Sequence, residues 1–216
     1  MKKILLLGFL FYYVLGFQAQ TDKAPKIIVG IVVDQMCYDY LYRFQHLYTT
    51  GGFNRLLVKG TNCRNTQYNY VPTYTAPGHA SIYTGTTPAN HGIVGNDWYV
   101  RDLQKTVTSV SDERYQTVGS ASGGQAAPMN LLTYTITDQL KLASPQSKVI
   151  SLSLKDRSAI LPGGHLSDGS YWFDYQSGDF VTSTFYKEAL PSWVARFNAK
   201  FDPAKDLRPW RLLLPE

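Results

Sequence analysis

The run Ile27-Ile28-Val29-Gly30-Ile31-Val32-Val33, closed by Asp34, constrains the fold more than any other stretch of this chain. Continuous β-branched residues without polar alternation suit a strand covered on both faces, as in a parallel sheet flanked by helices. The expectation is a buried strand over 26–34 that ends on an acidic residue. A second apolar run, 148–154, leads in the same way into Lys155-Asp156-Arg157. Between them lie helical patterns at 38–48 and 53–58 with Gly60 as a stop, an extended segment at 65–70, and a helix over 130–143 introduced by Pro128. Alternation around Arg101-Asp102 predicts a hairpin between 98 and 110, followed by a small-residue loop at 120–125. Strand, helix and strand in this order give an α/β fold with a largely parallel sheet, whose ligands collect at the carboxyl ends of strands. After Pro162-Gly163-Gly164-His165 the pattern changes to strands at 170–173 and 180–186 and a short amphipathic helix at 193–197, read as a small β-rich cap. Cap-like insertions are thus expected at 97–129 and 162–200 of a domain covering 21–216.

Residues 1–20 stand apart. Lys2 and Lys3 precede an apolar run to Phe17, and Ala19 sits near a cleavage point, the layout of a secretory signal and too short for a membrane span. Periplasmic or secreted location follows, with no stable membrane anchor after cleavage. Removing that segment lowers the formal charge from +5 to +3. With no block of like charge and no arginine interleaved with aromatics, nucleic acid is not an expected partner. Cys37 and Cys63 lack the CxxC spacing of a metal site, and two unpaired thiols are expected.

Chemistry concentrates in Tyr74-Thr75-Ala76-Pro77-Gly78-His79 and the short helix that continues to Gly85. A proline in the first turn is compatible with a helix start, and the free N–H groups there favour a bound anion or alkoxide. Thr75 before a helix is, on its own, commonly just a cap. Asp34, Asn96, Lys155 and Arg157 change that reading, because each falls just beyond a strand end or at a turn where one crevice could gather them. An acid, a hydroxyl, an amide and two cations suit phosphoryl transfer, which needs an in-line nucleophile and fixed donors on the equatorial oxygens. A threonine hydroxyl needs activation, and metal coordination with Asp34 as a hard oxygen ligand is the expected activator. His79 and His91 are expected to stabilise turns and neighbouring groups rather than to bind metal, and His165 to be structural.

Four motifs carry a family resemblance: Val32-Val33-Asp34-Gln35-Met36, Pro72-Thr73-Tyr74-Thr75-Ala76-Pro77-Gly78-His79, His91-Gly92-Ile93-Val94-Gly95-Asn96 and Ser153-Leu154-Lys155-Asp156-Arg157. Through them the chain resembles the alkaline phosphatase superfamily, and within it the periplasmic, threonine-nucleophile alkaline phosphatases of the Flavobacterium type. The resemblance implies two zinc ions per complete site. It implies that Asp34 and Thr75 bind one of them and that Thr75 attacks phosphorus to give a phosphothreonine intermediate. Asn96, Lys155 and Arg157 would hold the phosphoryl oxygens of a small phosphate monoester. The family's remaining zinc ligands have no counterpart before Glu216, and the chain stops on Leu212-Leu213-Leu214-Pro215-Glu216, so the amino-terminal portion of a longer enzyme is expected. Two alternatives stand beside the monoesterase: a phosphodiesterase or nucleotide pyrophosphatase of the same superfamily, and a non-catalytic exported fragment.

Overall fold

The computed structural model describes residues 25–202, together with 205 and 209. The signal-like segment 1–20 lies outside the described residues. The chain divides into two units between Val33 and Asp34.

In the first unit, the strand expected over 26–34 is absent: residues 27–33 carry no strand or helix. Ile27 is 79% exposed and Ile31 80%. A strand exists through its ladder and a buried strand through cover on both faces. No described segment pairs with this run, so its β-branched character finds neither.

Every regular element among the described residues lies in the second unit. Short helical turns open it, α1 (Tyr40–Arg43) and a 3-10 turn (Gln45–Leu47), where the sequence pattern predicts one helix; Phe44, at φ −103° and ψ 12°, separates the two. Helix α2 (Gly52–Lys59) stops at Gly60 as expected. The extended segment at 65–70 forms no strand. Next come α3 (Thr75–Thr84), capped by Gly85 at φ +68°, and α4 (Pro88–His91), capped by Gly92 at φ +79°. Both glycines occupy the left-handed conformation that a side chain makes costly.

The predicted hairpin is present as β1 (Asp97–Val100) and β2 (Lys105–Thr108), an antiparallel pair in which Trp98 faces Val107. A four-stranded sheet follows, with β3 (Thr117–Val118), β4 (Ile150–Ser153), β5 (Gly169–Asp174) and β6 (Asp179–Ser183) in the spatial order β3-β6-β5-β4. Strands β4 and β5 are parallel, joined by helix α6 (Asp156–Gly163), which packs against both. This is the βαβ unit that a parallel pair requires. The other pairings are antiparallel, so the described sheet is mixed. The α/β class holds, and the strands expected within 162–200 belong to the same sheet as β4.

Helix α5 (Ile136–Ala143) starts six residues later than the pattern around Pro128 suggests. Pro128 opens a separate 3-10 turn, Pro128–Asn130, and the true start is a capping box. The Thr135 hydroxyl accepts from Asp138 N–H, and the Asp138 carboxylate accepts from Thr135 N–H, both at 3.0 Å. Two orphan donors of the first turn are satisfied together. The same fully buried carboxylate also takes Leu166 N–H at 2.7 Å, tying α5 to the loop before β5. Gly164 passes so close that a Cβ there would sit 2.4 Å from Asp138 Oδ2.

Helix α7 (Ser192–Lys200) completes the described order. It docks on β6, with Asn198 closing both backbone hydrogen bonds of Phe180. The hydrophobic core joins α3, α6 and the sheet through Ala76, Ala80, Ala159, Ile160, Leu161, Trp172 and Val181. Alanine on the facing sides of α3 and α6 lets the two helices approach closely, which fixes where their N-termini emerge. Cys37 and Cys63 are both free thiols, as expected.

Candidate active site

Thr75 is the first residue of α3, behind Tyr74 in an extended conformation (φ −67°, ψ 169°) whose side chain does not cap the helix. Of the first-turn donors, Ala76 N–H is taken by Asn96, Pro77 has none and Gly78 N–H bonds to the Tyr74 carbonyl, which leaves the Thr75 N–H; Ala76, Pro77 and Gly78 are small and buried. The Thr75 hydroxyl is half-buried and donates to Asp34 Oδ2 at 3.2 Å. Gln35, next to Asp34, has φ +59°. For a residue with a side chain this left-handed conformation costs about 1 kcal/mol or more, and such outliers concentrate at functional sites.

Asn96 meets the same turn. Its Oδ1 accepts from Ala76 N–H at 2.9 Å, and its carbonyl accepts from Ser109 N–H at 2.9 Å. With the amide oxygen committed to α3, the Nδ2 group is left as a free donor, with no partner among the described residues. Asp34, Thr75, Ala76 and Asn96 are thus joined by two hydrogen bonds across sequence separations of 41 and 20 residues.

Lys155 and Arg157 stand at the N-terminus of α6, the helix packed against α3. Lys155 is the N-cap residue in extended conformation, and its ammonium has no ion-pair partner among the described residues. Arg157 lies 3.8 Å from Asp156 Oδ1 through Nη1, with its side chain 25% exposed. Its Nε is buried and has no hydrogen-bond partner. A buried guanidinium donor left open costs about 1–3 kcal/mol unless a group beyond the described residues accepts from it. No hydrogen bond or ion pair links either cation to Thr75 or Asn96; the α3–α6 packing is what relates them.

His79, His91 and His165 each hold a neighbouring group. His79 Nδ1 lies 2.7 Å from the Thr75 carbonyl and steadies the first turn from within. His91 is fully buried and bonded on both ring nitrogens, to Ile93 N–H (3.1 Å) and Ser81 Oγ (2.9 Å). His165 sits 3.4 Å from the buried Asp138 carboxylate. Asp97, beside Asn96, begins β1.

The donor chemistry fits part of a metal site. A carboxylate and a hydroxyl 3.2 Å apart offer two hard oxygen ligands to one cation. Among the described residues no group of three or more His, Cys, Asp or Glu converges on a point. Two ligands fall short of the three or four protein ligands that zinc sites use. Sequence reasoning did not single out Tyr70 and Ser81, which bond to one another at 2.8 Å beneath this turn. A serine within a helix and a tyrosine eleven residues before it carry no spacing signal, and only the fold brings them together.

Residues 28–208 match the family described as type I phosphodiesterase / nucleotide pyrophosphatase. The chain is 50% identical over 199 residues to the alkaline phosphatase PhoV of Synechococcus elongatus, covering 91% of this chain and 36% of the relative. It is 52% identical over 195 residues to the alkaline phosphatase PafA of Elizabethkingia meningoseptica, covering 88% of this chain and 36% of the relative. A crystal structure of a PafA variant, substituted at one threonine, one asparagine, one lysine and one arginine, superimposes with a TM-score of 0.85 at 50% identity, over 88% of this chain and 38% of the other. The chain therefore spans about a third of the length of the curated relatives it matches.

Proposed function

The chain belongs to the type I phosphodiesterase / nucleotide pyrophosphatase family of the alkaline phosphatase superfamily, and within it we propose that the protein is a zinc-dependent phosphate monoesterase with Thr75 as phosphoryl acceptor. The observation that carries the reading is the pair of hydrogen bonds setting Thr75 Oγ1 against Asp34 and Ala76 N–H against Asn96. Its relatives' names, alkaline phosphatase, support the reaction class. The solved PafA variant supports the residue set, because its four substituted residues follow the chain order Thr, Asn, Lys, Arg, with the separations of 21 and 2 residues found here between Thr75 and Asn96 and between Lys155 and Arg157.

Each group has a role in this reading. The Thr75 oxygen forms a bond to phosphorus as the ester P–O bond breaks, and its hydroxyl proton is directed at Asp34 Oδ2. Asn96 Nδ2, turned outward by the Ala76 tether, donates to a non-bridging oxygen. The N-terminal end of the α3 dipole adds partial positive charge at the same place. Lys155 and the open donor of Arg157 balance the two negative charges of a monoester. Water then attacks the phosphothreonine and releases inorganic phosphate. Asp34 and Thr75 would hold one zinc ion from this chain's side, and a bound zinc supplies the Lewis acidity that makes a threonine hydroxyl nucleophilic at neutral pH. Small phosphate monoesters outside the cytoplasm are the proposed substrates, with the signal-like segment 1–20 supporting export.

The family description favours a second reading, a diesterase or pyrophosphatase. Turnover of a monoester and a diester by the full-length protein, with and without Lys155→Ala and Arg157→Ala, separates the two. The monoesterase reading requires the double variant to lose about 10²–10³-fold on the monoester and less than about tenfold on the diester. Equal losses, or a diester as the better substrate of the unaltered protein, would favour the diesterase.

A further inference from the structure

Beneath the first turn of α3 runs a buried chain of hydrogen bonds that phosphoryl transfer as described above does not use. His91, at the end of α4 and fully buried, accepts from Ile93 N–H at Nδ1, 3.1 Å away. Its ring proton is therefore on Nε2, which faces Ser81 Oγ at 2.9 Å. Ser81 donates onward to the Tyr70 hydroxyl at 2.8 Å, and Tyr70 donates to the Pro77 carbonyl at 3.1 Å. One neutral imidazole thus ties together the segment leading into Thr75, the helix that begins with Thr75, and the turn that runs from Gly92 to Asn96.

That turn has little freedom. Gly92 is held at φ +79°, and a Cβ there would meet Leu132 at 2.8 Å; Ile93 is fully buried. Three residues later Asn96 reaches back to Ala76 N–H. The His91–Ile93 bond fixes one end of the turn and the Asn96–Ala76 bond the other, while the His91–Ser81 bond attaches the whole to α3.

We propose that His91 is a positioning residue, whose Nδ1 bond to Ile93 N–H holds the turn that delivers Asn96 in the shape that places its amide at the nucleophile helix. The proposal rests on Asn96 being a phosphoryl donor. Burial keeps the imidazole below its usual titration range, so the form with one donor and one acceptor persists at neutral pH. A donor displaced by about 1 Å costs on the order of 10²-fold in rate, so loosening the turn is felt in kcat rather than in substrate affinity.

The two arms can be cut separately in the full-length protein. An asparagine oxygen stands where Nδ1 does and a glutamine amide where Nε2 does, so His91→Asn keeps the Ile93 arm and His91→Gln keeps the Ser81 arm. His91→Gln is expected to lower kcat for a phosphate monoester by about 10–100-fold with KM shifted less than about threefold. In an Asn96→Ala background the same substitution is expected to cost less than about threefold, because the group it positions is gone. His91→Asn is expected to stay within about fivefold of the unaltered protein in both backgrounds, although both variants lower the melting temperature by similar amounts. Losses from His91→Gln that multiply with those of Asn96→Ala, or an equal kcat loss in His91→Asn, overturn the proposal and leave the role of Asn96 intact. If Asn96→Ala alone changes nothing, the donor assignment falls first and the proposal with it. Should His91→Gln fail to fold, Ser81→Ala takes its place. It cuts the same arm as His91→Asn and should match that variant, and a loss above about tenfold that multiplies with Asn96→Ala overturns the proposal.

Discussion

The two sides of the proposed phosphate site are built differently. Thr75 and Asn96 are held by the protein itself, through Asp34, the Ala76 amide and the buried histidine below them. Lys155 and Arg157, on the adjacent helix, present an ammonium with no described partner and a buried Nε with no acceptor. The first side sets geometry before any ligand arrives. The second offers two donors, the Lys155 ammonium and the Arg157 Nε, that no described residue accepts from. Nucleophile and amide must be placed to within a fraction of an ångström, whereas a long cation can follow the oxygen it neutralises.

That contrast sets an order of sensitivity. Thr75→Ala removes the bond-forming atom and is expected to lower turnover by roughly 10⁴-fold or more while zinc content stays near that of the unaltered protein. Measured by kcat and by metal analysis on one preparation, near-normal turnover would break the contrast at its root. On the fixed side, Asn96→Gln is expected to lose nearly as much as Asn96→Ala, about 10²–10³-fold in kcat/KM, because one added methylene cannot satisfy both Ala76 N–H and a phosphoryl oxygen. On the free side, Arg157→Lys retains the charge on a stem one bond shorter and is expected to lose only about tenfold, with the loss growing as salt is raised. A fixed side tolerant of Asn96→Gln, or a free side as intolerant of Arg157→Lys, would reverse the comparison.

A smaller effect concerns the scaffold behind α6. Asp138 is fully buried, and its carboxylate accepts from Thr135 N–H and Leu166 N–H, with His165 alongside. Burial alone would raise its pKa, but the hydrogen bonds from His165, Thr135 and Leu166 together hold it below the usual carboxylate value. A lowered carboxylate pKa stabilises the folded state above the unfolded value near 4, and that stabilisation is lost as pH falls through the folded value. Asp138→Ala is expected to cost about 3 kcal/mol at pH 7, read from denaturant unfolding. Its stability should also fall less on acidification than that of the unaltered protein. An unchanged acid response would show that Asp138 is not the carboxylate responsible.

Where the sequence was informative, a local rule decided the structure. The 97–108 hairpin follows from alternation, α2 ends where Gly60 removes the side chain, and β4 follows its apolar run into the charged start of α6. The start of α5 was also written in the chain, as Thr135 three residues before Asp138, but Pro128 offered a competing signal and in fact begins only a 3-10 turn. The 27–33 run shows the limit of periodicity: its residues are suited to a covered strand, yet pairing depends on neighbours, and the described residues provide none. For the site, Thr75, Asn96 and Asp34 were legible from motif and position, and the fold joins them. The Tyr70–Ser81–His91 chain was not legible, since its members share no spacing rule and meet only when α3 and α4 fold back on each other.

The central claim is that Thr75 accepts the phosphoryl group. Rapid acid quenching of the full-length protein during monoester turnover, followed by mass spectrometry of its peptides, tests it most directly. Phosphorylation of the peptide containing Thr75, absent in Thr75→Ala, is the predicted result. A phosphoryl group on another residue, or none while Thr75→Ala still turns over at the normal rate, would contradict the account.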